Sequence, residues 1–188
     1  MSPKLPLSLA AAIVATCGFL RGWLESDPVT HVLVQLPLLA LAGAMGIAAL
    51  TNRPDWPPLP LILVAIFTTA FWMLPRSIDA ALVTPSVELA KFVTVPCLIG
   101  APLLIGWRQA HPLLRGFLKA QTISMLAVMA FLYTHAPIRI CNAYLVADQE
   151  RLGFGFLLAA AVCAILWTVP IFMDQKRYQL AEKQAATS

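Results

Sequence analysis

The chain has 188 residues, 60% of them hydrophobic and 12% charged, with a mean hydropathy of +0.79 and a net charge of +4. Soluble domains carry about 25% charged residues, roughly twice this fraction, so the composition excludes an ordinary water-soluble domain and points to a single integral membrane unit. The basic residues are scattered between apolar runs rather than gathered in a patch, which argues against nucleic acid and for membrane orientation.

Six apolar runs follow one another along the chain. The first, about Leu5–Leu24, mimics a signal peptide, with Lys4 ahead of an apolar stretch and small residues near Ala15–Cys17. It continues through Phe19 and Leu20 to Trp23, which favours a retained first span over a cleaved leader. The turn signal SDPVT at Ser26–Thr30 separates it from the second run, about His31–Leu50. The third, about Leu59–Leu74, follows TNRPDWPP. The fourth reads as an amphipathic stretch Ser77–Lys91 leading into Phe92–Trp107. The fifth is about Leu118–Tyr133 and the sixth about Leu152–Met173. Membrane strands would alternate in and out with period two; these runs are apolar on both faces, so helices are expected. The expected fold is an all-α polytopic membrane helix bundle with about six transmembrane helices. Residues 1–175 would form the transmembrane domain and 176–188 a short cytoplasmic tail.

Loop charge orients the bundle. The termini and the loops around 51–58 and 106–119 hold eight basic residues: Lys4, Arg53, Arg108, Arg115, Lys119, Lys176, Arg177 and Lys183. The other side holds five: Arg21, Arg76, Lys91, Arg139 and Arg151. The excess of Lys and Arg marks the cytoplasmic side, so both termini are expected there. Trp23, Trp72 and Tyr133 then fall near outer span ends, and Trp56 and Trp107 near inner ones, where amphipathic rings favour the headgroup layer.

Most of the chemistry-bearing residues collect on the outer side of this frame. His31 and Gln35, one helical turn apart, share a face and are either a pair addressing a ligand or a helix-end residue beside an interhelical hydrogen-bonder. His135 ends the fifth run and Cys141 lies six residues on. An imidazole and a thiolate suit copper or zinc, whereas the bland reading is an interfacial side chain and a buried thiol. Asp148 and Gln149 open the sixth run, with Asp148 suited to an N-cap. Asp79 is placed to cap a helix through Ala80–Ala90 or to pair with Arg76. Cysteines 17, 97, 141 and 163 have no zinc-like spacing. No phosphate loop, HExxH or nucleophile elbow is present, so no catalytic residue is assigned and the chain is not expected to be an enzyme. Span centres almost free of ionisable groups count against a transporter.

Three segments resemble one family in order. HVLVQLPLLALAG at His31–Gly43 is similar to the His-led second-motif helix of the CtaG-like cytochrome c oxidase assembly factors. MLPRSIDAAL at Met73–Leu82 resembles their Leu-Pro connection after a span. ADQERLGFGFLLAAAVCAILW at Ala147–Trp167 resembles their Asp-Gln start to a late helix. Where members carry a second His one turn after the first, this chain has Gln35, and its six runs compare with about seven spans. The resemblance implies an assembly factor for a haem-copper oxidase in a bacterial inner membrane, with lipid and oxidase subunits as partners. It implies copper held or delivered at the outer face: His31, His135 and Cys141 would be ligands, and Gln35, Asp79, Asp148 and Gln149 helix-end or supporting residues. The alternative from another class is a non-catalytic structural subunit of a respiratory or other membrane complex. An outer-face haem between His31 and His135 is the third.

Overall fold

The computed structural model describes residues 4–50, 56–135 and 144–185. Among the described residues 92% are helical and no strand occurs. Helix α1 is Lys4–Phe19, followed by the single turn α2, Arg21–Leu24. Helix α3 is Pro28–Ala49 and α4 is Pro58–Met73. Next come α5, Pro75–Val83, then α6, Pro85–Gln109, α7, Pro112–His135, and α8, Val146–Ala185. The last helix continues without a break past residue 175, where the tail was expected to begin.

Among the described residues four helices are long and apolar enough to cross a bilayer: α3, α6, α7 and the Val146–Pro170 part of α8. The α4–α5 pair, bent by 70°, makes a fifth if it counts as one broken span. Twenty-two residues of α3 rise about 33 Å, enough for a hydrocarbon core of about 30 Å. The apolar part of α1, Leu5–Phe19, is shorter than a usual span. Large apolar side chains face outward around the bundle, with Phe67 70% and Leu158 67% exposed. Water would not tolerate such a surface, but lipid solvates it, so the bundle fits an integral membrane protein.

Prolines set the breaks. Five of the helices (α3 to α7) begin with Pro at the first position, where its missing N–H is no loss. Thr84 sits extended before Pro85, at φ −114° and ψ 112°, because the proline ring disfavours the helical region for the residue ahead of it. The stretch 77–91, expected as one amphipathic segment, is therefore cut at Thr84. Lys91 lies two turns inside the long apolar helix α6 rather than in a surface segment. The same break bears on Asp79: α5 starts at Pro75 with Leu74 before it, so Asp79 lies within that helix instead of at the head of one.

Pro37 and Pro102 lie inside spans, and each is met the same way. Residues His31–Gln35 of α3 and Val95–Gly100 of α6 form wide, π-type turns, closed by Leu36 N–H to His31 O and by Ala101 N–H to Pro96 O. Each wide turn ends two residues before a proline, Pro37 or Pro102. A proline ring clashes with the carbonyl four residues back, and widening the preceding turn relieves that clash. Between them α3 and α6 approach backbone to backbone. A Cβ at Gly43 would fall on the Pro96 carbonyl, and one at Gly100 on the Ala40 carbonyl. Glycine is required at both positions for that contact. A core of Leu39, Val95, Trp72 and Phe156 packs around the crossing.

Candidate functional site

The polar residues that the helices bring together centre on Lys91, whose side chain is only 1% exposed. A lone ammonium at this depth in an apolar bundle would be expensive, and it is stable only with its charge paired and its protons accepted. Lysine has three donors, and three acceptors surround it. Glu25 Oε1 lies at 2.6 Å, His31 Nε2 at 3.1 Å and Gln35 Oε1 at 3.1 Å. The Gln35 amide then donates from Nε2 to Glu25 Oε1 at 3.1 Å, closing a ring of contacts.

Tyr144, from the segment just before α8, completes the cluster. Its hydroxyl donates to the Glu25 backbone carbonyl at 2.8 Å and stands 3.0 Å from His31 Nδ1. These partners assign the tautomer: the phenol has given its proton away, so Nδ1–H donates to it and Nε2 keeps the lone pair that Lys91 uses. Gln149, buried in the first turn of α8, donates from Nε2 to the Tyr144 carbonyl at 3.2 Å and fixes the segment that carries the ring. The link between α2 and α3 is pinned in turn by Thr30, whose hydroxyl bonds Leu24 O at 2.7 Å and Asp27 O at 2.9 Å. Glu25 is thereby held at the mouth of the cluster.

Burial alone would push the Glu25 carboxyl up. The hydrogen bond and charge of Lys91, with the Gln35 amide, outweigh that and hold it below the ordinary value of 4.5. A carboxylate depressed in the folded state adds stability that is present above its unfolded value and lost as pH falls through its folded value. The melting temperature of the protein in detergent is therefore expected to drop on acidification below about pH 4.5. The drop should be smaller in a Glu25→Gln variant, whose neutral side chain keeps the geometry.

The residues singled out by sequence divide into those at this cluster and those away from it. His31 and Gln35 both contact Lys91, and Gln149 buttresses Tyr144. His135 is exposed at the end of α7, stacked on Phe131 at a centroid distance of 4.5 Å, with Nδ1 2.7 Å from the Thr134 hydroxyl. Cys141 lies outside the described residues. Asp148 sits in the first turn of α8, beyond the capping position, 3.6 Å from the Arg151 guanidinium; its charge there suits the positive helix end. Asp79 is half-buried on α5.

Copper needs lone pairs, and His31 offers none as arranged: one ring nitrogen donates to Tyr144 and an ammonium occupies the other. Among the described residues no three of His, Cys, Asp and Glu gather as metal ligands. The donors in place do not fit a copper ion shared by His31 and His135. What the cluster does is electrostatic and mechanical. One ammonium and one carboxylate, neutral together and hydrogen-bonded to their neighbours, fasten α3, α6, the α2–α3 link and the chain ahead of α8.

Sequence reading missed Lys91 as a member of a site, counting it only for orientation, and passed over Tyr144. The usable signal for Lys91 was Thr84-Pro85, a helix start that places a lysine within an otherwise apolar span. Tyr144 carries no such signal, since its role depends on a contact with residues more than a hundred positions away. No family model matches the chain, and neither a curated protein nor a solved structure matches it.

Proposed function

We propose that this is a non-catalytic assembly factor for a haem-copper oxidase, working from the outer face of a bacterial inner membrane. In this reading six crossings leave both termini in the cytoplasm, as the excess of basic residues on that side favours. The observation that carries the proposal is convergence. The three segments that resemble the CtaG-like factors are far apart in sequence, yet all three meet the Lys91 cluster or its supporting core. His31 and Gln35 of the first bond Lys91 directly. Met73, Ile78, Ala81 and Leu82 of the second pack in the same core. Gln149 of the third holds Tyr144.

Because His31 faces an ammonium, the proposal is docking on the maturing oxidase rather than copper carriage. A stoichiometric Cu(I) signal in purified protein, lost in a His31→Ala, His135→Ala double variant, would restore the copper version. The main test is deletion of the gene in its host, followed by haem spectra and oxidase activity of the membranes. Oxidase subunits should be made but not assembled, and a Lys91→Met copy should fail to restore them. Normal oxidase in the deletion strain would sink the reading. Stoichiometric co-purification with a mature complex would instead favour a structural subunit, the reading that the broad outward apolar surface suits.

A further inference from the structure

The end of the bundle away from Lys91 is charged in a different way. About 26 Å along α6 from Lys91, at 1.5 Å per residue, α6 ends and α7 begins in a tight corner. Arg108 is in the last turn of α6, and Arg115 and Lys119 are in the first turns of α7. Ala110, Leu118 and Ile62 form a small buried core beneath, with Trp107 and Leu114 packed against it, so the corner is held in place. The Arg115 guanidinium reaches back to the Arg108 carbonyl, Nη2 to O at 3.0 Å, which gathers both arginines there. Lys119 lies over the Trp167 ring of α8, 5.8 Å from its centroid.

Among the described residues, none of these three cations has an acidic partner within 4.0 Å. The ion pairs of Arg21, Lys91 and Arg151 all belong to the opposite end. Arg115 and Lys119 are like charges at i and i+4 on one helix face, an arrangement that repels unless an anion stands between them. Arg115 Nε, moreover, is shielded from solvent and has no hydrogen-bond partner among the described residues. A half-buried guanidinium with one donor unsatisfied, beside two further cations that have no acidic partner among the described residues, points to a ligand with acceptor oxygens and negative charge.

We propose that this corner binds the phosphate of an anionic phospholipid headgroup. Lipid is the source favoured over free phosphate because the cations rim an apolar wall. Leu113 is 79% and Phe117 61% exposed on the same turns of α7, where acyl chains would lie against them. Arg115 supplies the forked donors, Lys119 and Arg108 supply charge, and Trp107 and Trp167 sit at headgroup depth. The site is independent of the oxidase reading and needs only that the bundle lies in a bilayer.

The test is native mass spectrometry of the protein released from nanodiscs containing equal phosphatidylglycerol and phosphatidylcholine. Wild-type protein should keep phosphatidylglycerol in preference. Arg115→Gln and Lys119→Gln should each lower that preference by about fivefold, the worth of one interfacial cation. Lys119→Gln guards against a folding defect, since its side chain touches only the Trp167 ring among the described contacts. Arg21→Gln, at the opposite end, should retain the adduct. Equal retention of the two lipids by wild type, undiminished preference in both variants, or equal uptake of inorganic phosphate in detergent each overturns the proposal.

Discussion

Glu25→Ala is expected to destabilise the protein by about 3–5 kcal/mol, the usual cost of removing one partner of a buried ion pair. The reason lies in what remains rather than in what is lost. Lys91 is 1% exposed, so with the carboxylate gone its charge stays buried and uncompensated. Gln35 Nε2 loses its acceptor at the same time. Lys91→Met should cost less, because Glu25 keeps a 12% exposed edge through which water can serve it. Combining Glu25→Ala with Lys91→Met removes both charges, and the double variant should be more stable than Glu25→Ala alone. Thermal unfolding in detergent across the four proteins measures the coupling, expected at about 2 kcal/mol or more. Strictly additive losses would show that the pair is not the fastener described.

Gly43→Ala should be nearly as damaging, at about 3 kcal/mol, the upper end for overpacking. The added methyl meets the Pro96 backbone, which cannot rotate aside as a side chain would. Relief requires α3 and α6 to separate, and the same movement draws Lys91 away from His31 and Gln35. Gly46→Ala is the matched control. It lies one turn further along the same helix with nothing within 4 Å of its Cβ position. There the exchange should be neutral or stabilising by up to about 1 kcal/mol, the helix-propensity difference between glycine and alanine. The two variants assayed side by side separate close approach from propensity. Equal melting temperatures would mean that the crossing is looser than its geometry implies.

Much of the architecture was legible because membrane helices announce themselves by length and hydropathy. The runs at His31–Leu50 and Leu59–Leu74 match α3 and α4 within a few residues, and the fifth run grew into the longer α7. What failed was local: the stretch ending at Lys91 was read by its polar content, and Thr84-Pro85 was not given its weight as a break. That one misplaced boundary moved Lys91 from a buried hub to a surface charge. The site was legible only in part. His31 and Gln35 share a helical face by simple periodicity, so their association could be read directly. Their partners could not, since Glu25 sits in a turn and Tyr144 in an irregular segment, and only tertiary packing brings either to the same point. The pairing of His31 with His135 was argued from a shared leaflet, a condition that many residues meet without touching.

The members of the Lys91 cluster appear in the chain in a particular order: Glu25, His31 and Gln35 first, then Lys91, then Tyr144. A ribosome delivers them to the membrane in that order. Inserting a lysine costs up to about 2.5–3.5 kcal/mol, the value for a helix centre, and Lys91 lies two turns inside α6. Here its carboxylate and both neutral acceptors have already been synthesised when it arrives. Tyr144 emerges last and closes over an ion pair that can already have formed. The distribution of these five residues along the chain thus spares the nascent protein an unpaired charge in the bilayer, a matter of biogenesis rather than of the finished fold.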